Sequence, residues 1–254
     1  MPTDVLERAA WKALSAVFDP ELDEPITDLG FVRSLTVTAG NTVTVHLRLP
    51  TSFCSPNFAY LMASDAKDAI SALPQVSETV VLLDDHHDSD LINRGLAADA
   101  GYRGTFGDEA EDSLDELRLI FRRKAHAAAM ERALTLLLRR NPDLAETDLR
   151  DTVLADLPDT ASTGALLRRR EALGLSIEPA AKVLVDDQGR GYPPDEVPLR
   201  LRFARSVRIS IDGNAHFCRG LLRTRYPSAA ADQAPRPPEP GPARSPKKTE
   251  VKAS

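Results

Sequence analysis

The stretch Phe31-Val32-Arg33-Ser34-Leu35-Thr36-Val37-Thr38, Ala39-Gly40-Asn41, Thr42-Val43-Thr44-Val45-His46-Leu47-Arg48-Leu49 decides the fold of the first part of this chain. Two β-branched runs with period-two alternation flank a Gly-Asn turn, the signature of an antiparallel hairpin. Downstream, Pro50–Pro56 is a loop containing Cys54. Helical spacing follows at Met62, Ala66, Ala69 and Leu73, with Asn57 placed as cap and Pro74 as stop. Thr79–Leu83 reads as a third strand and Asp84–Asp90 as a polar loop. Upstream, Leu6, Ala10, Ala13 and Val17 mark one face of a helix that stops before Asp19-Pro20, and an acidic loop runs on to Gly30. The order α-β-β-α-β is what a small layered α+β domain needs to bury one core, and it occupies residues 1–90.

Beyond it, residues 91–112 carry four glycines and read as a linker. A long helix is expected over Ser113–Arg140, with Ser113 and Glu116 as a capping box, then shorter helices over Thr147–Leu157 and Ser162–Leu173. Lys182–Asp186, Pro198–Phe203 and Val207–Ile211 read as strands, and Asp212-Gly213-Asn214 as a turn into a fourth, Ala215–Leu222. Residues 113–226 are therefore expected as a helical segment with a small antiparallel β element. The tail, 227–254, holds seven prolines in 28 residues and is expected to be disordered.

Two cysteines in 254 residues exclude a disulfide framework and a self-contained four-thiolate site. No apolar run reaches the length of a membrane span, and the first residues lack a leader's apolar region, so the expected location is the cytoplasm. Charge is unevenly spread: residues 1–90 hold 5 Lys and Arg against 14 Asp and Glu, whereas 176–226 hold 9 against 6. An acidic front half argues against nucleic acid and suits a basic protein surface or cations. No P-loop, dinucleotide fingerprint, nucleophile elbow or His-Glu-x-x-His motif occurs, so neither a nucleotide cofactor nor a self-sufficient enzyme is expected.

Cys54 is the sharpest chemical candidate. It stands just before a helix start, where free N–H groups favour thiolate, and a thiolate there can bind metal. In the acidic loop, Asp19, Pro20, Glu21, Asp28 and Gly30 form a turn in which Asp19 accepts local N–H groups and Gly30 takes positive φ. Its carboxylates could alternatively face a metal or a basic partner. His86 and His87 offer metal donors, although adjacent histidines on extended backbone point apart. His216-x-Cys218, on one face of the expected strand, is a two-ligand half-site. Arg168-Arg169-Arg170 reads as a solvated helix face.

As a set, Val17-Phe18-Asp19-Pro20-Glu21-Leu22, Ile26-Thr27-Asp28-Leu29-Gly30-Phe31-Val32 and the single cysteine after the second strand resemble the metal–sulfur cluster biosynthesis, or iron–sulfur cluster assembly, domain family. The resemblance covers the N-terminal third. It implies an accessory factor in the maturation of iron–sulfur or iron-dependent proteins, with Cys54 at the functional cysteine as a transient ligand of iron or a cluster. The implied partners are a client metalloprotein, such as a component of a multicomponent bacterial oxygenase, or other assembly factors. The family's cysteine is followed directly by proline; here Ser55 intervenes. A non-metal chaperone for an oxygenase client is the alternative. A homodimer sharing Cys54 would relieve the shortage of ligands.

Overall fold

The computed structural model describes residues 3–107 and 114–235. The chain is α+β and divides into two compact units, one built from residues 3–107, 114–123 and 209–235, the other from 124–208. In the first unit, α1 (Thr3–Leu14) precedes a two-residue antiparallel pair, β1 (Phe18–Asp19) with β2 (Glu24–Pro25). β3 (Val32–Val37) and β4 (Thr42–Arg48) form the hairpin, with Asn41 at φ 60° in its turn. α2 (Pro56–Ser71) then crosses over to β5 (Glu78–Asp84), which pairs parallel with β4, giving the order β3-β4-β5.

The alternation of the hairpin buries Val43, Val45 and Leu47 on one face, against Leu6, Ala10 and Leu14 of α1 and Ala59, Ala63, Ala66 and Ile70 of α2. Each fully buried Val, Leu or Ile among them is worth about 1.5–3 kcal/mol relative to exposure, and each alanine less. The glycine-spaced stretch after β5 carries two short helices, α3 (Ser89–Ala97) and α4 (Gly101–Phe106). Gly95 permits their close approach, because a Cβ there would fall 2.0 Å from Thr105 Oγ1. Asn57 does not cap α2. The helix begins at Pro56 with Ser55 as N-cap, and Asn57 Oδ1 instead accepts the Tyr102 hydroxyl at 2.5 Å.

α5 (Leu114–Arg140) runs from the first unit into the second, and its expected cap, Ser113, lies outside the described residues. Residues 147–157 form two 3-10 turns, Glu146–Asp151 and Leu154–Asp156, rather than one helix; α6 (Ala161–Ala172) follows with Thr160 as N-cap. The antiparallel β content of this region consists of the bridges Val153↔Lys182 and Val185↔Gly191. The strands expected over 198–222 are a single 29-residue helix, α7 (Val197–Arg225). Val207-Arg208-Ile209-Ser210-Ile211 alternates locally, but burial at Val197, Leu201, Ala204, Ile211, Ala215 and Leu222 has helical spacing. Nor does order end at Pro227: Pro227–Ala231 is a 3-10 turn, and Ala234 donates its N–H to Asp28 O at 3.0 Å. Residues 236–254 lie outside the described residues.

The second unit has its own core, with Met130, Leu134, Leu149, Leu166, Val183 and Leu201 at its centre. Glu131, 2% exposed, accepts from Arg205 Nε at 3.1 Å, Arg208 Nε at 2.5 Å and Thr135 Oγ1 at 3.0 Å, so its buried charge is paired. Arg170 is buried, not solvated, and donates to the carbonyls of Ser176 at 2.7 Å and Lys182 at 3.0 Å.

His126 is buried with no partner on Nε2, and burial, reinforced by Arg170, pushes its pKa down to about 4. The unfolded chain therefore takes up this proton as pH falls through 6.5, whereas the folded chain resists until about 4. Stability is accordingly full above pH 6.5 and declines between 6.5 and 4. The loss is on the order of 3 kcal/mol. Urea melts across this range should show the decline, and His126→Leu should remove that part of it; an equal slope in the variant would refute the assignment.

Candidate functional site

The site belongs to the first unit and begins with the acidic turn. Asp19 Oδ1 accepts the backbone N–H of Glu21 at 2.9 Å and of Leu22 at 2.8 Å, closing an Asx turn that β1 and β2 extend. Pro20 sits within this turn, and Gly30 closes the loop at φ 76°. A Cβ at Gly30 would meet Gln233 Cγ at 2.9 Å, so glycine is needed both for the backbone and for the segment lying on it.

The loop's acidic and carbonyl groups have partners from the end of the chain. Arg219 donates to Asp28 O at 2.9 Å and Ala234 O at 3.1 Å, and pairs with the Glu24 carboxylate. Asn214 Nδ2 donates to Glu21 Oε1 at 3.2 Å. From β4, the buried Arg48 donates to Gly30 O at 3.1 Å and pairs with Asp232. Part of the basic surface that the acidic front half suits is thus the chain's own α7.

Behind this turn lies a cavity of about 130 Å³. Cys54 and Cys218 both line it, together with Asp19, Glu21 and the side chains of Leu22, Phe31, Leu49, Phe58 and Met62. Cys54 stands immediately before Ser55, the N-cap of α2, and Thr51 Oγ1 lies 3.5 Å from its Sγ. Burial pushes the Asp19 carboxyl up to about 7 despite its two N–H donors, and Glu21 and Glu24 add to the rise. Burial likewise pushes the Cys218 thiol up to about 12, with Asp19, Cys54 and Glu21 contributing.

The two histidines follow β5 in a turn rather than on extended backbone, and they have different surroundings. His86 Nδ1 accepts the Asp88 N–H at 3.1 Å, which leaves Nε2 protonated to donate to Cys54 O at 2.8 Å. Its imidazole holds the backbone of the cysteine loop, so both ring nitrogens are engaged within the protein. His87 is exposed; its N–H donates to Ser52 O at 2.9 Å and its ring stacks on Phe53 at 5.8 Å.

His216 and Cys218 are not on a strand. On α7 a two-residue offset turns them to different faces: His216 is exposed and Cys218 enters the cavity. The half-site expected there does not form. Sequence reasoning did not place Cys218 beside Cys54, nor Arg219 on the acidic loop. The signal that could have done so was the opposite charge of residues 1–90 and 176–226.

Among the described residues, no three His, Cys, Asp or Glu side chains are gathered closely enough to hold a metal ion by themselves. The donors at the cavity, two thiols with a thioether and a carboxyl on its wall, are of a kind that iron accepts, in an incomplete set. No helix among the described residues is long and apolar enough to cross a membrane.

Fold and site together define an α+β domain whose cysteine loop, at the start of a crossover helix, faces an apolar cavity. Residues 7–83 match the family described as iron-sulfur cluster assembly protein. A crystal structure of a domain of unknown function, DUF59, from Bacillus anthracis is similar at 26% identity, over 40% of this chain and 96% of that one, with a TM-score of 0.31. No curated protein matches. The match supports a role in iron–sulfur cluster assembly or maturation.

The His86 clamp makes a specific expectation. His86→Leu deletes the donor to Cys54 O and the acceptor for Asp88 N–H, and should cost about 1–3 kcal/mol in a denaturant melt. It should also speed alkylation of Cys54 by freeing its loop. Unaltered stability together with unaltered alkylation would show that the imidazole is not what holds the loop.

Proposed function

We propose that this protein is an accessory factor in the maturation of iron–sulfur or iron-dependent proteins, with Cys54 as a transient ligand of the iron or cluster being delivered. The observation that carries this reading is the match of residues 7–83 to the assembly family, with Cys54 in a cavity of that same domain. The chemistry supports transfer: the chain has two cysteines in all, too few to enclose a cluster that needs four thiolates. Cargo held by so few ligands keeps positions open for the receiving protein's own donors. Members of the family act as assembly or accessory factors, and the same non-enzymatic role is proposed here, in a reducing cytoplasm. The narrowest form of the proposal takes a component of a multicomponent oxygenase as client.

A second reading, a non-metal chaperone for such a client, is favoured by the exposed aromatics Phe53, at 79%, and Phe217, at 70%. Large exposed rings of this kind suit a protein partner. The two readings separate on one substitution. Cys54→Ala should lower the iron content and activity of a co-expressed client severalfold while complex formation persists. Unchanged client metallation would remove the ligand role and leave the chaperone reading.

A further inference from the structure

We infer that Cys218, carried by α7 outside the segment that matches the assembly family, is the second thiol of a two-thiol site for one thiophilic divalent metal ion, with Cys54 on the wall of the same cavity. The inference deepens the function proposed above and rests on it for the ion's role as cargo. Binding itself rests on the cavity.

Three observations support it. The first is convergence: the only two cysteines of the chain, from distant segments, line one cavity of about 130 Å³. Both are partly buried against the unit's hydrophobic core, and the cavity is where they meet. The second is the donor set. Met62 adds a thioether to the same wall, and sulfur donors select soft or borderline ions over magnesium and calcium, which take oxygen. Asp19 also lines the cavity and is 6% exposed; its Oδ1 is occupied by two N–H groups, and Oδ2 has no hydrogen bond among the described residues. The third is charge. Leu22, Phe31, Leu49 and Phe58 give the cavity an apolar wall, in which uncompensated charge is costly. A dication bound by two thiolates is neutral as a unit.

The balance of the step is simple. Each thiol gives up its proton as its sulfur–metal bond forms, so two protons leave per ion bound and no electrons are transferred. Since no group of three His, Cys, Asp or Glu side chains among the described residues encloses an ion, positions on it stay open to water or to a client's donor.

The test uses the reduced full-length chain under anaerobic conditions, titrated with Co²⁺ alone as a spectroscopic probe. The wild type should bind one equivalent with thiolate-to-cobalt absorption, more weakly at lower pH because protons compete for sulfur. Cys54→Ser and Cys218→Ser should each lose about half of that absorption, since the thiolate is the liganding form. Thermal melts of both variants establish that they are folded, and Cys218→Ala serves as a second variant should the serine perturb α7. Wild-type absorption in both folded Cys218 variants, or none in the wild type, overturns the inference. Loading with Fe²⁺ alone, beside Fe²⁺ with sulfide, separates an ion from a cluster: uptake that requires sulfide overturns the single-ion form. Absorption that depends on both cysteines, beside client metallation indifferent to Cys54→Ala, keeps the site and overturns the delivery role.

Discussion

The first unit depends on the burial of one guanidinium. Arg219 is 7% exposed, and a cation so far out of water needs partners for its charge. Its two terminal nitrogens have them in the carbonyls of Asp28 and Ala234 and the Glu24 carboxylate, while Nε is buried without a hydrogen bond among the described residues. Those three partners come from the acidic loop and from the segment after α7, so one side chain ties both ends of the unit together. Removing Arg219 would strand Glu24 and two carbonyls, which is why the contact is costly to break even where its net worth is modest. Its neighbour on the helix is Cys218. Fixing Arg219 on the loop fixes the register of α7 there, and the thiol one residue earlier faces the cavity as a consequence.

The same contact gives the charge pattern a physical meaning. An excess of carboxylates over residues 1–90 suggests an external basic partner or a cation when the chain is considered linearly. Folded, one of those carboxylates, Glu24, is paired internally with Arg219 from α7, Asn214 donates a hydrogen bond to Glu21, and Arg48 answers Asp232 in the reverse sense. What remains beside the cavity is Asp19, whose burial already favours its neutral form, and Glu21. Part of the loop's acidity therefore serves the architecture.

Legibility followed the range of the forces involved. The hairpin, the crossover helix and the Asp19 turn could be read because alternation, helical spacing and side-chain-to-backbone bonds act over a few residues, although the cap of that helix could not. α7 could not be read in a short window. Val207–Ile211 alternates like a strand and Asp212-Gly213-Asn214 imitates a hairpin turn, while the deciding periodicity, from Val197 to Leu222, emerges only over the whole helix. Packing along that length outweighs two interior glycines, Gly213 and Gly220, each worth roughly 1 kcal/mol against alanine. Cys54 stood out because its setting is local, a thiol before a helix start. Its relation to Cys218 and to the His86 clamp is tertiary, and the sequence marks it only through opposite regional charges.

A thiol on a rigid element and a thiol on a loop do different work, and this bears on how cargo would move. Cys218 sits within a long helix held by its neighbouring arginine, whereas Cys54 sits in a connection whose backbone is braced through the His86 imidazole. Burial and nearby acidic groups oppose ionisation of the helix-borne Cys218 thiol in the absence of a cation. Binding at such a residue requires the ion to displace a proton; loss of the ion restores a neutral thiol, the form that apolar surroundings favour. On the proposed reading, protons compete with the ion for sulfur, so the site that accepts a dication also has a neutral empty form. A receiving protein with more sulfur donors would then take the ion by completing the coordination that this chain leaves open.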